Sequence, residues 1–221
     1  MKKVVVTGSC GAIGRPIVER FVKMGCEVYG LSIGHGPTLD NYTHFICDIR
    51  NSTDVTKIID SIGSIDILVN NAGIVEYKEF VNTNSDSISK ILDTNLKGPI
   101  NVTHAALPYL TQGSIVVFVN SMAGVRDLKN MSLYCASKAG LRSFAAVLGE
   151  ELRGQQIKVT SIHPGIVYTD VWATGLKYPF GDDATQALSV ESIANIVSMV
   201  AMDTSNVEIK NISLFSNVEW W

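Results

Sequence analysis

Apolar residues along this chain fall into two kinds of run. Short unbroken stretches rich in β-branched residues, such as Val4-Val5-Val6, Ile67-Leu68-Val69 and Ile115-Val116-Val117-Phe118-Val119, show no polar alternation. They read as strands covered on both faces, as in a parallel sheet. Between them lie segments with apolar residues at helical spacing, for instance Ile17, Val18, Phe21 and Val22, each turning one face inward. The pattern predicts strands near 3–7, 27–31, 43–47, 65–70, 114–119, 157–162 and 209–214, and helices at about 13–24, 52–62, 85–110, 132–153 and 190–202. Ser52 and Gly63 read as start and stop of one helix, and Gly154 as the stop of the long one. Regular alternation of this kind implies an α/β fold, a doubly wound seven-stranded parallel sheet with helices on both faces. No linker or repeat interrupts it, so 1–221 reads as one domain. The stretch 170–189, with Gly175, Pro179 and Gly181, breaks the pattern. A loop of that length reads as a lid over a substrate site, with a plain surface loop as the alternative.

Two local patterns carry chemistry. Gly8, Gly11 and Gly14 follow the first strand directly and lead into a helix with Pro16 in its first turn. Strand, glycine turn and helix form the setting in which backbone approaches a pyrophosphate and a helix N-terminus offers free N–H groups. An ordinary tight turn is the competing reading. Tyr134 and Lys138 stand four residues apart, on one face of a helix, with Ser121 thirteen residues before the tyrosine. A phenol is a poor acid at neutral pH, and a fixed cation beside it stabilises the phenolate, making it a usable proton donor and acceptor for an alcohol–carbonyl pair. The pair alone is also common on exposed helices.

Three further segments lie just past apolar strands, where open α/β sheets bind ligands: Asn70-Asn71-Ala72-Gly73, Asn120-Ser121-Met122-Ala123-Gly124 and Pro164-Gly165-Ile166-Val167-Tyr168-Thr169. With the glycine turn, Tyr134 and Lys138, they resemble the short-chain dehydrogenase/reductase family, classical branch, from Lys3 to about Thr169. One departure is Ala12, which leaves Thr-Gly-x-x-Gly-x-x-Gly, the spacing of the extended branch with its epimerases and dehydratases. The length of 221 residues leaves little room for that branch's extra substrate domain. The resemblance implies a Rossmann-like fold and an NAD(P)-dependent oxidoreductase interconverting a secondary alcohol and a ketone. Tyr134 would exchange the proton, Ser121 would hydrogen-bond the same oxygen, and Lys138 would bind the nicotinamide ribose and depress the tyrosine pKa. Asn95 matches the family's further asparagine. Pro99, four residues on, cannot donate to the Asn95 carbonyl, so the helix should kink there and leave that oxygen available for a proton relay. Cofactor contacts are implied for Gly8, Ser9, Gly11, Ile13, Gly14, Ser32, Asp48, Ile49, Asn71, Ala72 and Gly73, and for Pro164, Gly165, Val167 and Thr169.

The second strand ends in Ser32-Ile33-Gly34-His35, with neither an acid to bind ribose hydroxyls nor an arginine to grip a 2′-phosphate. Ser32 and the following amides, with His35, suit a phosphate, so NADP is favoured over NAD. Met122, Ala123, Leu128, Trp172, Tyr178 and Phe180 are the expected substrate-pocket residues, and their apolar character suits a small-molecule alcohol or carbonyl with hydrocarbon surface. A net charge of −3 without a basic cluster speaks against nucleic acid and anionic membrane as partners. Four scattered cysteines lack metal-ligand spacing and read as reduced thiols, so no metal is expected. No apolar run approaches a membrane span, and no charged-then-apolar leader precedes the first strand, so a cytoplasmic protein is expected. Helices 85–110 and 132–153, with small residues Ala136, Ala139, Gly140 and Ala145, are the expected interface of a homodimer or homotetramer, and Trp220 and Trp221 suit burial in a subunit contact. The competing functions are an epimerase or dehydratase that uses the nucleotide transiently, and a non-catalytic nucleotide-binding redox sensor.

Overall fold

The computed structural model describes residues 1–169, 186–203 and 205–217. Among them, seven strands form one sheet: β1 (Lys3–Thr7), β2 (Glu27–Ser32), β3 (Tyr42–Ile46), β4 (Ile65–Asn70), β5 (Leu110–Val119), β6 (Lys158–Pro164) and β7 (Asn211–Leu214). Their order is β3-β2-β1-β4-β5-β6-β7, with every neighbouring pair parallel. The helices are α1 (Gly14–Lys23), α2 (Ser52–Ile62), α3 (Ser85–Leu92), α4 (Gly98–Ala106), α5 (Ser132–Leu152) and α6 (Val190–Met202). The expected doubly wound sheet is therefore present. Side chains of β1 explain its unbroken apolar run: Val5 enters the core shared with residues of α2, α4 and α5, while Val4 and Val6 enter the core shared with α1 and α6. Because each face is covered, alternation has no polar side to display.

Several boundaries differ from the sequence pattern. The single helix expected over 85–110 is α3, a π-helical turn at Asp93–Lys97, and α4, closed by a short 3₁₀ turn at Leu107–Tyr109. Gly98 N–H reaches the Asp93 carbonyl, five residues back, so the ladder slips one step just before Pro99. That places the expected irregularity beside the proline, where a donor is missing. β5 begins at Leu110, earlier than expected, and its register against β4 shifts between Ile65 and Ile67. Asn51, not Ser52, caps α2, its side chain accepting from the Thr53 and Asp54 amides. The long helix ends at Leu152, and Gln156, not Gly154, takes the left-handed conformation that follows (φ 57°).

Of the small residues expected at an interface, Gly140 packs inside the subunit. A Cβ there would stand 3.1 Å from the Leu96 side chain, and Ala145 is buried in the same core. All four cysteines are free thiols, and burial pushes the thiol pKa up at Cys26 and, to about 11, at Cys47. Among the described residues no group of histidine, cysteine and acids could hold a metal, and no helix is long and apolar enough to cross a membrane. Most of the expected lid, with Trp172, Tyr178 and Phe180, lies outside the described residues, as do Trp220 and Trp221.

Candidate active site

From β1 the chain winds outward through β2 and β3, and from β4 it winds the other way, so the crevice of the sheet opens between β1 and β4. Thr7 and Asn71 clasp this seam. The Thr7 hydroxyl accepts the backbone amides of Asn71 (3.0 Å) and Ala72 (3.1 Å), and the Asn71 side chain donates to the Thr7 and Gly8 carbonyls. Glycine is required at two points. Gly8 has φ +65° and a Cβ there would lie 2.8 Å from Ala72 Cα, while one on Gly14 would lie 2.0 Å from the Gly8 carbonyl oxygen. The start of α1 is thereby drawn against the turn, bringing its N-terminal amides to the crevice.

A cavity of about 520 Å³ opens from this seam. Gly8, Gly11, Ile13 and Gly14 line it at the turn, Ser32, Asp48 and Ile49 at the ends of β2 and β3, and Asn71, Ala72 and Gly73 beyond β4. Tyr134, Lys138 and Thr169 are also on the wall. Ala12 is on this wall and exposed. Arg50 and Lys90 also contribute, so the lining carries three cations and a single carboxylate, Asp48. An elongated anionic ligand such as a dinucleotide fits this charge and the glycine-lined turn.

Tyr134 and Lys138 project from the first turns of α5, the ammonium nitrogen lying 5.8 Å from the centre of the tyrosine ring. Lys138 is 4% exposed, and its Nζ donates to the Val119 carbonyl at 3.3 Å. Burial pulls its pKa from 10.5 down to about 8. Burial also raises the half-buried Tyr134 phenol above 10, and a hydrogen bond with Ser121 pulls the other way. The lowering of the phenol expected from Lys138 is not found: the opposing influence is the Ser121 hydrogen bond, and desolvation of the ring exceeds it. Ser121 follows β5 and caps the turn Met122–Gly124, its Oγ accepting the Ala123 amide at 3.1 Å.

Asn95 is fully buried in the π-helical turn and does not line the cavity. Its Oδ1 accepts Ile74 N–H and its Nδ2 donates to the Ile74 carbonyl, both at 2.8 Å, with a further donation to Ser137 Oγ at 3.2 Å. Asn95 therefore pins the loop after Gly73. Gly73 itself lies between groups of the site: a Cβ there would stand 3.4 Å from Asn95 Oδ1 and 3.6 Å from Lys138 Nζ.

Other expected contacts lie off the wall. Ser9 is fully buried and its hydroxyl meets Tyr42 (3.1 Å). Pro164 ends β6, Gly165 N–H donates to Leu214, and Val167 is buried against Leu188 on the α1/α6 side. Met122 and Ala123 are buried in their turn, while Leu128 is half-buried. His35 is exposed and does not line the cavity. The group the pattern missed is Arg50. No arginine stands at the end of β2, yet this one, two residues after Asp48, reaches the same cavity end and holds the Asp48 carboxylate through Nε and Nη2. That bidentate pair holds Asp48 below the usual carboxylate range.

The chain is similar to proteins of known activity. Farnesol dehydrogenase of Aedes aegypti is 31% identical over 77% of this chain and 79% of its own length. A 3-oxoacyl-(acyl-carrier-protein) reductase of Rickettsia felis is 28% identical over 93% of this chain and 91% of its own. Among solved structures, ligand-free aldohexose dehydrogenase of Thermoplasma acidophilum superposes with a TM-score of 0.88 at 26% identity, covering 98% of this chain and 93% of that one. BdcA in complex with NADPH superposes at 0.84 and 26% identity, covering 99% and 96%. The family model described as short chain dehydrogenase matches residues 2–177, and with the seam, the cavity and the tyrosine–lysine pair on its wall, the chain belongs to this family of NAD(P)-dependent oxidoreductases.

Proposed function

We propose that the protein transfers hydride between NADP and a secondary alcohol or ketone, with Tyr134 as the general acid and base. The observation that carries this reading is the Tyr134 phenol, hydrogen-bonded to Ser121 behind it, beside a buried lysine, with Tyr134 and Lys138 on the wall of a cavity that begins at the glycine turn. When bound, the nicotinamide supplies the hydride donor or acceptor. In reduction, Tyr134 Oη gives its proton to the carbonyl oxygen as negative charge develops there, and Ser121 Oγ donates a hydrogen bond to the same atom. The raised phenol keeps its proton through neutral pH, ready for that step. Lys138, beside Gly73, would hold the ribose hydroxyls of a bound nucleotide. Asn95 acts on the loop at Ile74 rather than on substrate, and the slipped ladder before Pro99 supports a relay through the Asn95 carbonyl.

Three features support NADP over NAD: β2 ends in Ser32 without an acid, Arg50 and Lys90 add positive charge to the cavity, and BdcA, a fold neighbour, binds NADPH. Of Pro164 to Thr169, only Thr169 is on the cavity wall and would meet the nicotinamide end, while the half-buried Leu128 would shape the approach of substrate over the buried Met122 and Ala123. A cytoplasmic homo-oligomer suits the exposed outer face of α5 at Ala136 and Val147. The test is to measure binding of NADPH and NADH by fluorescence. A panel of a 3-oxoacyl thioester, farnesol, L-serine and an aldohexose is then assayed at the reduced-nicotinamide absorbance band. Turnover without any absorbance change would instead establish epimerase or dehydratase chemistry, and nucleotide binding with no turnover across a wide carbonyl panel would favour a sensor.

A further inference from the structure

His163 stands next to the last residue of β6, at 1% exposure, beneath the reacting serine. Its Nδ1 lies 3.3 Å from the Ser121 backbone carbonyl, and its Nε2 lies 3.2 Å from Oδ1 of Asn211 on β7. Ser121 has left the strand ladder, which ends with the Asn120 amide donating to Ile162. Its carbonyl is fixed by Gly124 N–H (2.9 Å) and by His163. Both partners are oxygens that only accept, and a neutral ring carries one hydrogen; it falls to Nδ1 because the Ser121 backbone carbonyl is fixed, whereas the Asn211 amide can be turned end for end. Burial pulls the imidazole pKa down, which favours the neutral ring. With Nε2 then bare, we assign the Asn211 amide turned end for end, so that its NH₂ and not Oδ1 faces the ring. An apolar residue of similar size would fill this space without the cost of burying a polar ring, so what the imidazole adds is its two hydrogen bonds.

We infer that His163 is a positioning residue for the proposed reaction: its Nδ1–H bond sets the Ser121 backbone, and with it the hydroxyl that meets Tyr134, while Asn211 holds the ring in that tautomer. The inference rests on the role proposed for Ser121. It makes the short turn after β5 a part held from behind by β6 and β7 as well as by its own hydrogen bonds.

The first test needs no turnover. A two-bond ¹⁵N–¹H spectrum of histidine-labelled, nucleotide-free protein shows the four imidazoles, and the signal lost in His163→Asn identifies this one. The Nδ1–H tautomer is expected, and the Nε2–H tautomer would overturn the inference. The second test compares three variants. His163→Asn places an amide nitrogen where Nδ1 was, His163→Gln reaches toward Asn211 instead, and His163→Leu reaches neither. With the panel substrate turned over fastest, kcat should fall about 10- to 100-fold for Leu and Gln and within about threefold for Asn, because small misplacements of a catalytic group cost on this scale. NADPH affinity should stay within about twofold in all three, since His163 is not on the cavity wall. In a Ser121→Ala background, His163→Leu should cost no more than about a further twofold, because the two act as one unit. Equal kcat for the three variants, or fully additive losses, would overturn the inference. Were Ser121→Ala itself harmless, the role proposed for Ser121 would fail first. Were Ser121→Ala damaging and His163→Leu harmless, only His163 would lose its part.

Discussion

Replacing Lys138 by methionine should stabilise the nucleotide-free protein while removing its activity. The ammonium is 4% exposed, and its pKa falls from 10.5 to about 8 through burial. A fall of that size corresponds to about 3 kcal/mol of folding free energy spent on keeping the group charged at pH 7. Methionine matches the length of the side chain and carries no charge to desolvate. The variant forfeits the 3.3 Å bond to the Val119 carbonyl, worth about 1–2 kcal/mol. The net expectation is a gain of about 1–2 kcal/mol. The sign of the pH dependence follows from the two pKa values. An unfolded lysine keeps its proton to about 10.5 and the folded one releases it near 8, so the wild type gains stability as pH climbs between them. Methionine does not titrate, and by pH 10 the lysine cost has fallen to about 1 kcal/mol, so the advantage of the variant should vanish or turn slightly negative there. Urea unfolding of both proteins without nucleotide, at pH 7 and pH 10, measures this directly. A variant less stable than wild type at pH 7, or an advantage that is the same at both pH values, would refute the reasoning. The confirmed result would mean that the site holds its lysine against the interest of the fold.

Tyr134→Phe should lower kcat at least about 100-fold with NADPH affinity unchanged, since the phenol supplies the proton and not the grip; stopped-flow turnover and fluorescence titration separate the two. Asn95→Ala strands both Ile74 backbone groups in the interior and should cost about 2–4 kcal/mol in denaturant unfolding; a loss under about 1 kcal/mol would show that the loop stands unaided. Arg50→Ala should weaken NADPH about tenfold and NADH far less, read by paired titrations; an equal effect on both would remove Arg50 from 2′-phosphate recognition.

The sheet was legible because its strands are covered twice and therefore apolar throughout. Val4-Val5-Val6 and Ile67-Leu68-Val69 needed no context to be placed. Gly8 and Gly14 were legible for a related reason, since only glycine fits where backbone meets backbone. What local pattern could not show lies where distant segments meet. Residues 85–110 have continuous helical periodicity, and neither the π-helical turn nor the strand starting at Leu110 leaves a trace in it. Asn95 matched a family position, but its partner Ile74 is 21 residues away and appears only in three dimensions. Arg50 is not legible because the selectivity pattern concerns the end of β2, whereas the cavity wall there is shared with the loop after β3. His163 is invisible in the same way: a histidine before Pro164 says nothing of the serine 42 residues earlier whose carbonyl it holds.

The Thr7–Asn71 clasp joins positions 64 residues apart, and no nearer segment can stand in for either. The nucleotide crevice therefore cannot exist until β1 and β4 have docked, late in a search already slowed by non-local pairing. A dinucleotide bridging the turn after β1 and the loop after β4 would act as a rivet across that junction. The protein should survive dilution, heat and proteases in proportion to how well its cofactor is supplied.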